Sequence, residues 1–258
     1  MALLEVNGLQ KEFGGLKAVN NVSFHVDAGE IISMIGPNGA GKTTVFNLIT
    51  GAYPIDAGSV RFMDQEISNH APQEIVTHGI ARTFQNIKLC NHMRVIENVL
   101  IGMDCRLHYR LADLLLRTAQ FHRAERNAHT EAIRLLKAIG LGDRIHEYAG
   151  NLPYGERRKL EIARAIATGA SLLLLDEPAA GMNENESADL KEFISLLRQN
   201  GYTILLIEHD MKVVMDISDR IYVLDHGELI AHGRPEQIAA DSNVIKAYLG
   251  EDVVNADA

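Results

Sequence analysis

The chain has 258 residues, enough to bury a substantial core in one or two compact domains. Its net charge of −9 argues against a general nucleic-acid binder, which would carry a basic face. Two cysteines, Cys90 and Cys105, supply neither a disulfide framework nor a metal pattern, and read as small, partly buried thiols in a reducing compartment.

From the N-terminus, "MALLEVNGLQKEF" places Glu5 inside an apolar stretch and has no charged-then-apolar leader, so no signal peptide is expected. No apolar run approaches the roughly 18 residues that span a bilayer. A soluble, cytoplasmic protein is expected. "LLEVNGLQKEF" and "VNNVSFHVDAGE" alternate polar and apolar residues, as half-buried antiparallel strands do. "IISMIG" at 31–36 is a short apolar run ending in glycine, the pattern of a strand buried on both faces. A helix is expected from Lys42 to Thr50, stopped by Gly51, and "GSVRFMDQEI" reads as an edge strand.

Between Asn86 and Ala167 strand signals give way to helical ones: "MRVIENVLIGM", "LADLLLRTAQFHRAERNAHTEAIRLLKAIG" and "NLPYGERRKLEIARAIAT". In the last, Pro153, Tyr154 and Gly155 make a turn. Leu160, Ala163, Ile166 and Ala167 then share one helix face, with Arg157, Arg158, Glu161 and Arg164 on the others. Strand–helix alternation returns with "SLLLLDEP", "ESADLKEFISLLRQN", "YTILLIEHD" and "DRIYVLDHGELIAHG". Such alternation implies an α/β fold with a mostly parallel sheet. One domain is expected over 1–250. Residues 1–85 and 168–250 would form a core with an N-terminal antiparallel β subdomain, 86–167 an inserted helical subdomain, and 251–258 a frayed acidic tail.

"GPNGAGKTT" at 36–44 fits the phosphate-loop pattern, between a buried strand and a helix as the motif requires. Gly39 and Gly41 permit backbone angles that turn successive N–H groups toward phosphate oxygens. Lys42 brings a positive charge to the β- and γ-phosphates, and Thr43 offers a hydroxyl to Mg²⁺. "SLLLLDEP" delivers Asp176 and Glu177 to a strand's C-terminal end, where ligands of open α/β sheets bind. Asp176 suits the Mg²⁺ shell. Glu177 is placed to polarise a water attacking the γ-phosphate. His209, at the tip of "YTILLIEHD", is placed to contact that phosphate. Gln85, ending "ARTFQ", can bind Mg²⁺ or water through its carbonyl.

Together these residues resemble the ATP-binding subunit of ABC transporters, over nearly the whole chain. The resemblance makes the chain a P-loop ATPase and implies ATP and Mg²⁺ as ligands. It assigns Gly36, Pro37, Asn38, Gly39, Ala40, Gly41, Lys42, Thr43 and Thr44 to the Walker A loop. Gln85 falls in the Q-loop, Asp176 ends the Walker B strand, Glu177 matches the catalytic glutamate and His209 the switch histidine. Phe13 and Val19 would contact the nucleotide, with Phe13 stacked on adenine. "LPYGE" at 152–156 stands where the family has its signature. That turn serves a second ATP-binding subunit docked head to tail, with Tyr154, Gly155 and Glu156 at the γ-phosphate of the partner's ATP. Here the usual signature serine is Pro153, Tyr154 replaces a glycine, and Asn183 stands at the D-loop's usual aspartate. These departures point to a sound hydrolytic half and a weakened trans-acting half, as suits a heterodimer.

"RTFQN", "VIENV", "LEIARA", "DEPAAG", "LLIEHDM" and "AYLGE" are most similar to subunits of branched-chain amino-acid importers; urea-type importers and the lipopolysaccharide-export ATPase are relatives. The resemblance implies two membrane permease subunits, a periplasmic or extracellular binding protein, and a peripheral position on the cytoplasmic face of the inner membrane. Residues 86–100 would receive the permease's coupling helix. The competing classes are a soluble ABC-type ATPase, which would carry two cassettes, a coiled-coil insertion or a basic face, and a small-molecule kinase, which would have no use for the signature or His209.

Overall fold

A computed structural model of the chain describes residues 2–106, 116 and 118–249. Two sheets organise it. Strands β1 (Ala2–Phe13) and β2 (Leu16–Asp27) pair antiparallel, and β4 (Ala57–Phe62) and the two-residue β5 (Gln65–Glu66) extend that sheet in the order β2-β1-β4-β5. The expected edge strand at 58–67 is therefore a hairpin, of which β5 lies at the sheet edge. Its turn residues Met63 and Asp64 both take left-handed angles, which match the twist of the flanking strands.

The second sheet runs β10-β9-β3-β8-β7-β6. Strands β3 (Ile31–Ile35), β6 (Ile80–Arg82), β7 (Leu172–Asp176), β8 (Thr203–Ile207) and β9 (Arg220–Asp225) are parallel, and β10 (Glu228–Gly233) returns antiparallel at the edge. The apolar runs at 31–35, 172–176 and 203–207 are buried at every position. Alternate side chains serve different cores. Leu173 and Leu175 join the helical core, while Leu172 and Leu174 join the core shared with the antiparallel sheet. The parallel sheet is a wall between the two.

Helix α1 (Lys42–Ile49) follows β3, and α2 (Pro72–His78) precedes β6. Helices α3 (Val95–Asp104), α4 (Ala119–Ala138) and α5 (Tyr154–Ala167) occupy the segment expected to be helical. Part of the expected helix over 111–140 lies outside the described residues, as does the tail 251–258. Helix α6 (Glu184–Gln199) packs against α5, and short helices α7 (Met211–Ile217), α8 (Pro235–Ala239) and α9 (Ser242–Leu249) complete the order. Among the described residues no helix is long and apolar enough to cross a membrane.

Two expectations need correction. Cys90 and Cys105 are both exposed free thiols rather than partly buried ones. On α5 the apolar face is buried as expected, but so are Arg158 at 0% and Glu161 at 2% exposure. Their charges are compensated by each other and by backbone, as buried ions must be.

Candidate active site

The parallel strands deliver their C-terminal ends to one edge, and the site is assembled there. After β3 the chain turns through Gly36 to Gly41. A β-carbon on Gly36 would stand 2.0 Å from the Leu224 carbonyl oxygen, and one on Gly41 2.4 Å from that of Ala18. Close approach of backbone, together with positive φ at both, makes glycine obligatory there. Lys42 opens α1, is 5% exposed, and donates through Nζ to the carbonyls of Gly36 at 2.6 Å and Pro37 at 2.9 Å. Burial pushes its ammonium below the ordinary lysine value, and the charges of Glu177 and Asp176 oppose that fall.

A cleft of about 310 Å³ is lined by residues 16–18, 38–44, 226 and 227, with Glu177 and His209 on its far side. Asn38, Gly39, Ala40, Gly41, Lys42, Thr43 and Thr44 therefore all face it. Val19 does not: it is 1% exposed in the core, and its neighbours Leu16, Lys17 and Ala18 line the cleft in its place. The alternation of β2 turns Val19 to the opposite side from Ala18. Phe13 ends β1 half-exposed and makes an edge contact with Tyr53 at 5.4 Å between centroids.

Three residues from separate loops meet at one carboxylate. Glu177 follows β7 with a left-handed φ of 46°, held by its N–H bond to the Ile207 carbonyl at 2.9 Å. Such a backbone costs a non-glycine residue about 1–3 kcal/mol, and this strain clusters at functional sites. Its Oε2 accepts from Gln85 Nε2 at 2.7 Å, and its Oε1 lies 2.7 Å from His209 Nε2. Behind it, Glu208 is 3% exposed and accepts the N–H groups of Ala179 at 2.6 Å and His209 at 3.0 Å. Burial holds the Glu208 carboxyl above the usual carboxylate range, with those N–H bonds pulling the other way.

Asp176 is 4% exposed and paired through Oδ2 with Arg82 Nη2 at 2.7 Å; Arg82 Nη1 donates to Asn47 on α1. Sequence reading missed Arg82, whose partner lies 94 residues away. Asp176 Oδ1, the Thr43 hydroxyl and the Gln85 side-chain carbonyl are hard oxygen donors that fit Mg²⁺. Among the described residues no group of three or more His, Cys, Asp or Glu could hold a metal ion alone.

At the start of α5, Pro153 is the cap and Glu156 lies in the first turn, its carboxylate 3.5 Å from Arg144 Nε. Tyr154 donates its hydroxyl to the Ala180 carbonyl at 2.8 Å. A β-carbon on Gly155 would meet only Glu186, at an ordinary 3.7 Å, so nothing described in this chain demands glycine there. Asn183 accepts from the Glu186 N–H at 3.0 Å and caps α6, so this departure from aspartate keeps a working helix cap.

A phosphate loop after β3, carboxylates at the end of β7 two strands away and an α/β sheet define a P-loop nucleotide-binding ATPase. A family model described as ABC transporter matches residues 19–180, and one described as Branched-chain amino acid ATP-binding cassette transporter matches residues 228–254. The chain belongs to the ABC transporter family, and it is an ATP-hydrolysing transporter subunit. It is 50% identical over 250 residues to the high-affinity branched-chain amino acid transport ATP-binding protein LivG of Escherichia coli K12, covering 96% of this chain and 98% of that protein. It is 47% identical to the corresponding protein BraF of Pseudomonas aeruginosa, with the same coverage. Crystal structures of a nucleotide-free and an ADP-bound ATP-binding cassette from an ABC transporter each superpose with a TM-score of 0.85 at 33% identity, covering 97% of this chain and 100% of theirs.

Proposed function

We propose that this chain powers an importer of branched-chain or other hydrophobic amino acids. It would work as one of two head-to-tail ATP-binding subunits on a pair of membrane permeases, fed by a periplasmic or extracellular binding protein. Its place is the cytoplasmic face of the inner membrane. The observation that carries the reading is the meeting of Gln85 and His209 on the two oxygens of Glu177, beside the phosphate loop. The similarity to branched-chain transport proteins over nearly the whole chain supports the cargo.

In this reading Lys42 exchanges the carbonyls of Gly36 and Pro37 for β- and γ-phosphate oxygens as ATP enters the cleft. The N–H groups of residues 38–44 cradle the same phosphates. Phe13 stacks on adenine. Thr43, Asp176 and Gln85 would hold Mg²⁺, which would neutralise phosphate charge. Glu177 accepts a proton from water as its oxygen bonds to the γ-phosphorus and the bond to the bridging oxygen breaks, leaving ADP and phosphate. His209 steadies that carboxylate and reaches the γ-phosphate. Tyr154, Gly155 and Glu156 present the first-turn N–H groups of α5 to the partner's ATP, since those groups have no intrahelical acceptor. Gly155 supports this role: with no need for glycine from the described chain, an approaching surface can demand it.

The test is uptake of radiolabelled leucine by cells lacking their own ATP-binding subunit and carrying this chain with its neighbouring permeases. Uptake that is lost on Lys42→Ala is expected. Normal ATPase activity with no leucine uptake, but uptake of another solute, would overturn the cargo.

A further inference from the structure

A closed circuit of polar contacts begins and ends at Glu177 and passes through the signature helix. Arg158, on α5, is wholly buried, and its two terminal nitrogens each take a backbone carbonyl of the Q-loop: Nη1 that of Phe84 and Nη2 that of Gln85, both at 2.7 Å. Glu161, one turn on, receives Arg158 Nη1 on Oε2 at 2.7 Å and the Lys88 N–H on Oε1 at 2.9 Å. One buried ion pair thus grips the segment 84–88 at both ends. Arg158 Nη2 also reaches the Tyr154 hydroxyl at 3.4 Å, and that hydroxyl donates to Ala180. The neighbouring Ala179 N–H is held by Glu208, which also holds the N–H of His209. The circuit then closes, because Gln85 and His209 are the two residues that contact the Glu177 carboxylate.

We propose that Tyr154 and Arg158 are positioning residues that tie the signature helix to the loops at 84–88 and 179–183, so that all three answer ATP as one unit. The proposal rests on the reading of the site given above. It gives the altered signature a task within its own chain: the tyrosine that replaces a glycine supplies the link to the D-loop. A buried arginine making only core contacts would not need two adjacent carbonyls of the segment carrying Gln85. A fork of two nitrogens matches that pair, and a lysine has one.

The test uses the full-length chain in the Glu177→Gln background, with amide hydrogen exchange followed at 84–88 and 179–183 as ATP is added. The parent should gain protection in both segments at the same ATP concentration. Tyr154→Phe keeps the ring and removes the hydroxyl, so 84–88 should still respond while 179–183 should not. With Glu177 intact, Tyr154→Phe should lower kcat by about 3- to 10-fold and leave KM within about twofold, the scale of one lost hydrogen bond. Arg158→Lys keeps a charge beside Glu161 but leaves one Q-loop carbonyl unpaired, so it should lower the melting temperature by only a few degrees and, assayed well below that temperature, still show the reduced kcat. Joint protection in Tyr154→Phe, or a kcat loss that tracks a fall in melting temperature in both variants, would overturn the proposal. The exchange readout needs nucleotide binding alone, so a chain that binds ATP and fails to hydrolyse it would refute the functional reading while the circuit is still judged by exchange.

Discussion

At the end of β7, Glu177 has both carboxylate oxygens occupied by side chains of its own chain. At the start of α5, Gly155 is a residue for which the described chain has no structural need, next to first-turn N–H groups without intrahelical acceptors. The first region is internally complete: strand ends, buried carboxylates and loop amides satisfy one another. The second is satisfied on its inner side only, through Tyr154 and Arg158, and leaves its outer side to be met from elsewhere. The contrast separates the chemistry one chain can perform from the contact it must receive.

The largest effect should come at the self-contained end. Glu177→Gln should lower kcat by about 10²–10⁴-fold, the range for losing a general base, while ATP affinity by fluorescent-nucleotide titration stays within a few-fold. Comparable loss of binding would mean that Glu177 holds nucleotide rather than water. Next comes the inner side of α5. Arg158→Met leaves Glu161 buried without its cation and should cost about 3–5 kcal/mol in urea unfolding. Adding Glu161→Leu should recover most of it; no recovery would mean the backbone bonds, not the ion pair, dominate.

Gly155→Ala sharpens the outer side. Alanine fits a helical first turn, so the monomer should gain about 0.4–1 kcal/mol of stability. In the Glu177→Gln background the same change should weaken ATP-driven association, read by light scattering against the parent. Undiminished association would close the distinction between the two regions. The smallest effect is electrostatic. Because burial raises the Glu208 carboxyl, the folded chain binds a proton at pH values where the unfolded chain has released it. Stability therefore falls as pH rises through that window. Glu208→Gln removes this contribution, so its melting temperature should decline less than the parent's as pH rises above the ordinary glutamate range. An unchanged slope would show that Glu208 is not the group responsible.

Much of the fold was legible because its signals are contiguous. The run at 31–35, the glycines after it and the helix from Lys42 lie within twenty residues and leave few alternatives. The strands ending at Asp176 and Ile207 announce themselves by four apolar residues in a row. The short helices α2, α7, α8 and α9 lack enough turns to show a period, although Pro72, Asp210 and Pro235 mark their starts. Within the site, residues carrying a local motif were legible, and those defined by distant partners were not. Arg158 sits at a surface-like position in a charged stretch, and only the carbonyls of Phe84 and Gln85, more than seventy residues earlier, explain its burial. Val19 stands one position from a cleft residue, and the two-residue period of its strand turns it inward.

The four leucines of β7 look interchangeable, and the wall they form makes them otherwise. Removing any one of them yields the same shortened protein, with a leucine still at every remaining position. Yet the residues after the gap advance by one step, about 3.3 Å, and change sides. Asp176 would then stand where Leu175 faces the helical core, and Glu177 would take the place beside Arg82. A deletion invisible to composition would thus move both carboxylates one station back, burying one and putting the other in its place. Length, in this strand, carries information that the side chains themselves do not.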